Sequence, residues 1–195
     1  MNNEQTLMST IWPASSTAKM ARNIVLAVLG SIALWVSAKV QVTFLYVPMT
    51  LQTLVVLGLG VAMGWRLAGS TVMLYLAQGA AGFPVFAGTP EKGIGLVYMA
   101  GPTGGYLIGF VIAAMLVGYL VQTGASKNVF KTFAIMVLGT AVIYVPGAVW
   151  LANFIGLEKA VEFGVMPFLY GDLIKAALAA GLFPAIWMLI GKSKA

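Results

Sequence analysis

The expected architecture is a single all-α integral membrane domain of six transmembrane helices with both termini in the cytoplasm. Three observations carry it. The 195-residue chain is 61% hydrophobic and only 8% charged, where a soluble domain carries about 25% charged residues. Apolar stretches recur along the chain, several of them long enough to cross about 30 Å of hydrocarbon as helices. Lysine and arginine are concentrated in alternate connecting segments, the asymmetry that orients membrane proteins.

Residues 1–22 are polar and form the expected cytoplasmic N-terminal segment; 23–195 form the membrane domain. An apolar run follows Lys19 and Arg22, as in a signal peptide. No small-x-small cleavage site follows it and more apolar runs come after, so it reads as a retained helix. Spans are expected at 23–38, 49–64, 67–82, 102–121, 129–150 and 167–190. The second and third are short and separated only by Trp65 and Arg66, so one broken hairpin, giving five spans, is the main alternative. With the N-terminus inside, the inner segments hold Lys19, Arg22, Arg66, Lys127, Lys131, Lys192 and Lys194 against Glu4. The outer loops hold Lys39, Lys92 and Lys159 against Glu91, Glu158 and Glu162. The net charge of +6 is therefore mostly an orientation signal. A nucleic-acid surface would need clustered bases with interleaved aromatics, a pattern this chain lacks.

The chain has no cysteine and no histidine. That excludes disulfides, thiol chemistry, the usual zinc ligands and any catalytic arrangement built on histidine. Five acidic residues in the whole chain make a carboxylate metal cluster a poor expectation. Gly191-Lys192-Ser193 looks like the end of a phosphate-binding loop, but the glycine required five positions before Gly191 is Ile186. If the chain serves active transport, ATP must be used by another chain, or an ion gradient must drive it.

The strongest candidate site is Asp172 with Lys175. Apart from these two, the run from Pro167 to Ile190 is uncharged. At spacing i, i+3 they share a helical face. A lone charge at the bilayer centre costs roughly 2.5–3.5 kcal/mol on insertion scales, so intramembrane ionisable residues face protein or a cavity and point to a function. The plainer reading is a mutual neutralisation pair that helps the helix insert. With the last helix running from outside to inside, Asp172 lies about 7.5 Å below its outer end, within reach of a ligand from outside.

Two other outer segments face that region. Gln52 stands at the outer start of the second span and its amide both donates and accepts. The long loop 82–106 mixes glycine and proline with Phe83, Phe86, Thr89, Lys92 and Tyr98, and long loops in compact proteins often serve as lids or binding loops. Glycines at 101, 105 and 109, and at 60 and 64, recur at the four-residue spacing that lets membrane helices approach closely. Ala27/Ser31 and Ala33/Ser37 give similar small pairs in the first span. Such pairs serve either internal packing or docking to another membrane protein, and the sequence alone favours packing.

Three stretches taken together carry a resemblance: Val47-Pro-Met-Thr-Leu-Gln-Thr-Leu54; Gly82-Phe-Pro-Val-Phe-Ala-Gly88 with Gly101-Pro-Thr-Gly-Gly-Tyr106; and Gly171-Asp-Leu-Ile-Lys-Ala176. In that order and spacing the chain resembles the BioY family, the biotin-binding S components of energy-coupling-factor vitamin importers of prokaryotes. The resemblance implies a six-helix fold in the cell (inner) membrane that binds biotin from outside. It implies as partners a transmembrane coupling subunit and a pair of ATPases. It requires no enzymatic activity and no cofactor, biotin being the transported ligand. It carries the family's Asp-x-x-Lys motif onto Asp172 and Lys175, and a coupling-subunit contact onto Ala27 and Ser31. Leu107 stands where some members carry arginine, and Thr89-Pro-Glu-Lys92 where some have a glycine-rich loop. Biotin's chemistry fits: a carboxylate such as Asp172 accepts from a ureido N–H, and Lys92 or Lys175 meets the carboxylate. Gln52 and Thr89 supply further polar groups, and Phe86 and Tyr98 cover the apolar parts. The alternative is a self-sufficient, ion-coupled transporter using the Asp172–Lys175 pair, with a membrane-embedded enzyme well behind.

Overall fold

The computed structural model describes residues 6–15, 17–42, 46–122 and 125–192. Glu4 and Lys194 of the charge argument, Thr43, Phe44 and Leu45 of the first loop, and Ser193 lie outside the described residues. Among the described residues the architecture is all-α apart from one two-residue ribbon. In chain order the helices are α1 (Leu7–Ile11), α2 (Ala18–Lys39), α3 (Gln52–Met63), α4 (Trp65–Ala80), α5 (Gly95–Ala100), α6 (Gly104–Val121), α7 (Val129–Ile155), α8 (Leu157–Gly164) and α9 (Leu169–Lys192), with β1 (Gln41–Val42) paired antiparallel to β2 (Met49–Thr50).

Among the described residues, four stretches are long and apolar enough to cross a bilayer: Ala18–Lys39, Gly104–Val121, Val129–Ile155 and Leu157–Ile190. The expected second and third spans are shorter. At 1.5 Å per residue, α3 with 12 residues is about 18 Å long and α4 with 16 about 24 Å. They form an antiparallel hairpin. Gly64 makes the turn at φ 77° and ψ 170°, a backbone conformation open chiefly to glycine. Gln52, at the start of α3, bonds Tyr75 far along α4. The first residues of the expected second span, Met49 and Thr50, lie in the ribbon instead, which shortens the helix.

The helix α6 is the hub, packing on α3, α4 and α7, while α2 packs on α4 and α9 on α7. Of its apolar window 61% is buried, against 28% for Ala18–Lys39. Small side chains make this centrality possible. A Cβ on Gly105 would clash with the Pro146 carbonyl and the Trp150 side chain, so the backbones of α6 and α7 meet there directly. Pro146 lies inside α7 without ending it, and the helix runs to Gly156, at φ 83°. The exterior is ringed by exposed Val28, Ile32, Val36, Ile108, Ile112, Val145, Val149, Ile174, Leu178 and Leu182. Lipid tails are as apolar as these side chains, so such a belt suits a multi-pass membrane protein.

Two ends of the bundle are distinct. At one, Thr6, Gly64, Gln122 and Ser126 line a common crevice, and Trp187 near the end of α9 bonds Ser126. The two ends of the described chain therefore lie together. Lys19, Arg22, Arg66 and Lys127 gather there. At the other end lie Lys39, the loop 82–94, the ribbon and α8, which carries exposed Glu158, Lys159 and Glu162.

Candidate functional site

The first turn of α9 holds Asp172, where the helix dipole favours a carboxylate. The 3-10 turn Met166–Phe168 starts the helix at Leu169, two residues later than the sequence suggests, so the acid lies nearer the helix end than expected. Asp172 is 5% exposed and fully engaged. Its Oδ1 accepts from Lys175 Nζ at 2.7 Å and from Thr53 Oγ1 at 2.8 Å, and its Oδ2 from the Tyr144 hydroxyl. Lys175 Nζ also donates to the Thr50 carbonyl at 2.7 Å and to Thr53 Oγ1 at 3.0 Å. An ammonium has three donors, and all three are used. The pair is the one salt bridge among the described residues. A buried ion pair needs such extra hydrogen bonds to offset its desolvation.

This cluster forms one wall of a cavity of about 60 Å³ at the loop-bearing end. Met49 and Thr50 of the ribbon, Gln52 and Thr53 of α3, Tyr98 of α5, Tyr106 and Leu107 of α6 and Tyr144 of α7 complete it. The lining is apolar except for a few converging polar groups, as in small-molecule sites generally. Gln52 Nε2 donates to the Tyr75 hydroxyl at 2.9 Å, which in turn donates to the Val85 carbonyl at 3.0 Å.

The loop beside the cavity is fastened carbonyl by carbonyl. Tyr75 takes that of Val85, Tyr98 that of Ala87 at 2.8 Å, and Lys39 Nζ those of Phe86 and Thr89 at 3.1 and 3.0 Å. Phe86 is 1% exposed, stacked on Tyr98 at 4.8 Å and edge-on to Tyr75 at 5.4 Å. Burial pushes the Tyr98 phenol above its ordinary pKa.

Of the expected residues, the structure brings Asp172, Lys175, Gln52 and Tyr98 to the cavity. Phe86 stands behind Tyr98 and backs it. Thr89 is buried but turned into the loop, donating to the Phe86 carbonyl at 2.7 Å and accepting from Lys39 at 3.1 Å. Lys92 is exposed, with its stem over Gly88, and does not line the cavity. The pair Ala27 and Ser31 is turned inward. Ser31 is fully buried and accepts from Gln78 of α4 at 3.3 Å, and Ala27 is half-buried. Ser31 thus packs within this chain, where α2 leans on α4, while Ala27 lines an open groove at the basic end. Tyr144, Thr53 and Thr50 line the cavity beside the expected residues, and Lys39 fastens the loop; sequence reasoning passed over all four. A hydroxyl inside an apolar run at Tyr144, and a lysine closing the first span at Lys39, are the signals that could have marked them.

A bundle of apolar helices with a small, mostly apolar cavity walled by a buried ion pair at one end defines a membrane protein that handles a small polar–apolar molecule. The family model of the BioY family matches residues 5–192, and the chain belongs to that family. It is similar to a probable biotin transporter BioY of Pyrococcus horikoshii, 40% identical over 144 residues, covering 74% of this chain and 83% of the relative. It is 36% identical over 176 residues to the biotin transporter BioY of Rhizobium etli, covering 85% and 92%. The fold matches the crystal structure of the S-component for biotin from an ECF-type ABC transporter, with a TM-score of 0.78 and 23% identity over 90% of this chain and 95% of that one.

Proposed function

We propose that this chain is the biotin-capturing membrane subunit of an energy-coupling-factor importer. The observation that carries the reading is the Asp172–Lys175–Thr53–Tyr144 cluster, buried against a cavity at one end of an apolar bundle in a chain of this family. The loop-bearing end faces outside, and the basic end, with both termini, faces the cytoplasm across the inner membrane, as the lysine and arginine asymmetry favours. The chain passes six times, with α3 and α4 as the short hairpin. A transmembrane coupling subunit and ATP-hydrolysing subunits power release, since no nucleotide site is expected here.

Asp172 accepts from a ureido N–H of biotin and Lys175 donates to the ureido oxygen. Tyr98, backed by Phe86, covers the apolar ring and chain, and the carboxylate is left for Lys92 on the neighbouring loop. In the present state Asp172 and Lys175 spend their hydrogen bonds on each other, on Thr50, Thr53 and Tyr144. The cavity of about 60 Å³ is far below the 300–1,000 Å³ of ordinary ligand pockets. Ligand entry therefore widens it. A ligand that takes over the Lys175 donor releases the Thr50 carbonyl, and with it the ribbon segment 46–50 that walls the cavity. Capture requires no covalent step.

The test compares two assays on one preparation. The purified chain binds radiolabelled biotin without ATP. In lipid vesicles it accumulates biotin only when the coupling and ATPase subunits are added. Uptake by the chain alone, abolished by an uncoupler, would overturn the partner-driven reading in favour of ion coupling.

A further inference from the structure

A second concavity lies at the opposite end of the bundle from the ion-pair site. It is a groove of about 690 Å³ between α1, the first turns of α2, and the α3–α4 tip. Lys19, Arg22 and Arg66 line it, and no carboxylate does among the described residues. These cations have donors to spare. Arg22 gives one N–H to the Trp12 carbonyl at 2.9 Å and two to Asn23 Oδ1, which leaves two of its five. The Arg66 guanidinium rests on the Trp65 ring at 4.9 Å. It has no carboxylate partner, since the one salt bridge among the described residues is elsewhere.

The lining changes along the bundle axis. Lys19 and Arg22 open the groove, whereas Ile24, Ala27, Met63 and Leu67 form its walls. From Lys19 to Ala27 along α2 is about 12 Å at 1.5 Å per residue. Trp12, 46% exposed, stands beside Arg22, and tryptophan favours the level of the headgroups. A cationic mouth at headgroup level with an apolar wall running inward has the polarity of a phospholipid. A soluble anion would use the mouth and leave the wall uncovered.

From this juxtaposition we infer that the groove between α1, α2 and the α3–α4 tip binds an anionic phospholipid, its phosphate held by Lys19, Arg22 and Arg66 and its acyl chain laid along Ala27, Met63 and Leu67. Basic pockets between membrane helices take anionic headgroups for this electrostatic reason. The inference rests on the membrane reading of the bundle and is independent of the ligand at the other end.

The test is native mass spectrometry of the purified full chain released from micelles containing equal phosphatidylglycerol and phosphatidylcholine. The expected result is preferential retention of phosphatidylglycerol, one per chain. Each neutralised base lowers the preference about fivefold, so Arg22→Gln with Arg66→Gln lowers it about 25-fold. Should that double variant fail a thermal-unfolding check, Lys19→Gln alone, at an exposed position, must show the fivefold drop. Equal retention of the two lipids overturns the inference and leaves the cations to a protein partner. A preference untouched by all three substitutions overturns it by placing the lipid elsewhere. Displacement of phosphatidylglycerol by millimolar inorganic phosphate overturns it in favour of a soluble anion.

Discussion

Asp172 accepts hydrogen bonds from Lys175, Thr53 and Tyr144, so each substitution there has a distinct expected outcome. Lys175→Met leaves a buried carboxylate without its counter-charge and costs about 3 kcal/mol, read as a lower thermal-unfolding midpoint. The double change Asp172→Asn with Lys175→Met recovers part of that loss, because no uncompensated charge remains. Tyr144→Phe removes a charge-assisted hydrogen bond to the carboxylate, costs about 1.5–3 kcal/mol of stability, and frees Oδ2 for a ligand. Biotin affinity in that variant stays within about threefold, since each tenfold change in affinity is 1.4 kcal/mol. The charged pair was legible in the sequence, since it breaks an otherwise uncharged run. Its partners were not. Thr53 reaches Asp172 across 119 positions of chain and Tyr144 across 28, and a single hydroxyl in an apolar helix looks like any packed side chain. Thr89 and Lys92 were visible as polar residues in a suggestive loop, but Thr89 turns toward Lys39, far away in sequence, and Lys92 lays its stem over Gly88.

At the level of elements, the same long-range logic governs the loop and the helix contacts. Lys39 at the end of α2 donates to Phe86 and Thr89, binding a loop about fifty residues away. Lys39→Met removes charge-assisted bonds worth about 2 kcal/mol. Amide exchange across residues 85–89 then rises by roughly 30-fold, with the α6 amides unchanged as a control. The α6–α7 contact gives a sharper test. Gly105→Ala drives a methyl group into the backbone of α7 and costs about 1–3 kcal/mol. Gly181→Ala in α9 meets nothing within 4 Å and is neutral or slightly stabilising. The glycine spacing did announce close packing. Helix limits were less legible. Hydropathy saw an apolar run from 49 to 64 but could not see that Met49 and Thr50 pair with Val42 and Gln41, nor that α7 runs on past residue 150 to Ile155.

For the whole molecule, the membrane character follows from composition alone, and the asymmetry of charge separates the two ends seen in the structure. One end carries the loop, the ribbon and the ion-pair cavity. The other carries the basic groove and both ends of the described chain. The inward turn of Ser31 against Gln78 leaves the outer face of α2 to Val28, Ile32 and Val36, a distinction that spacing of small residues could not supply, since packing inside a chain and docking to a second chain use the same residue types.

In the proposed function biotin is read at the Asp172 cluster. The decisive measurement is titration calorimetry of the purified chain, wild type beside Asp172→Asn. One biotin per chain is expected for the wild type, with affinity reduced roughly 10- to 100-fold in the variant, the worth of a charge-assisted hydrogen bond of about 1.5–3 kcal/mol. Equal affinity in the two proteins, both shown to be folded, would move the biotin site away from α9.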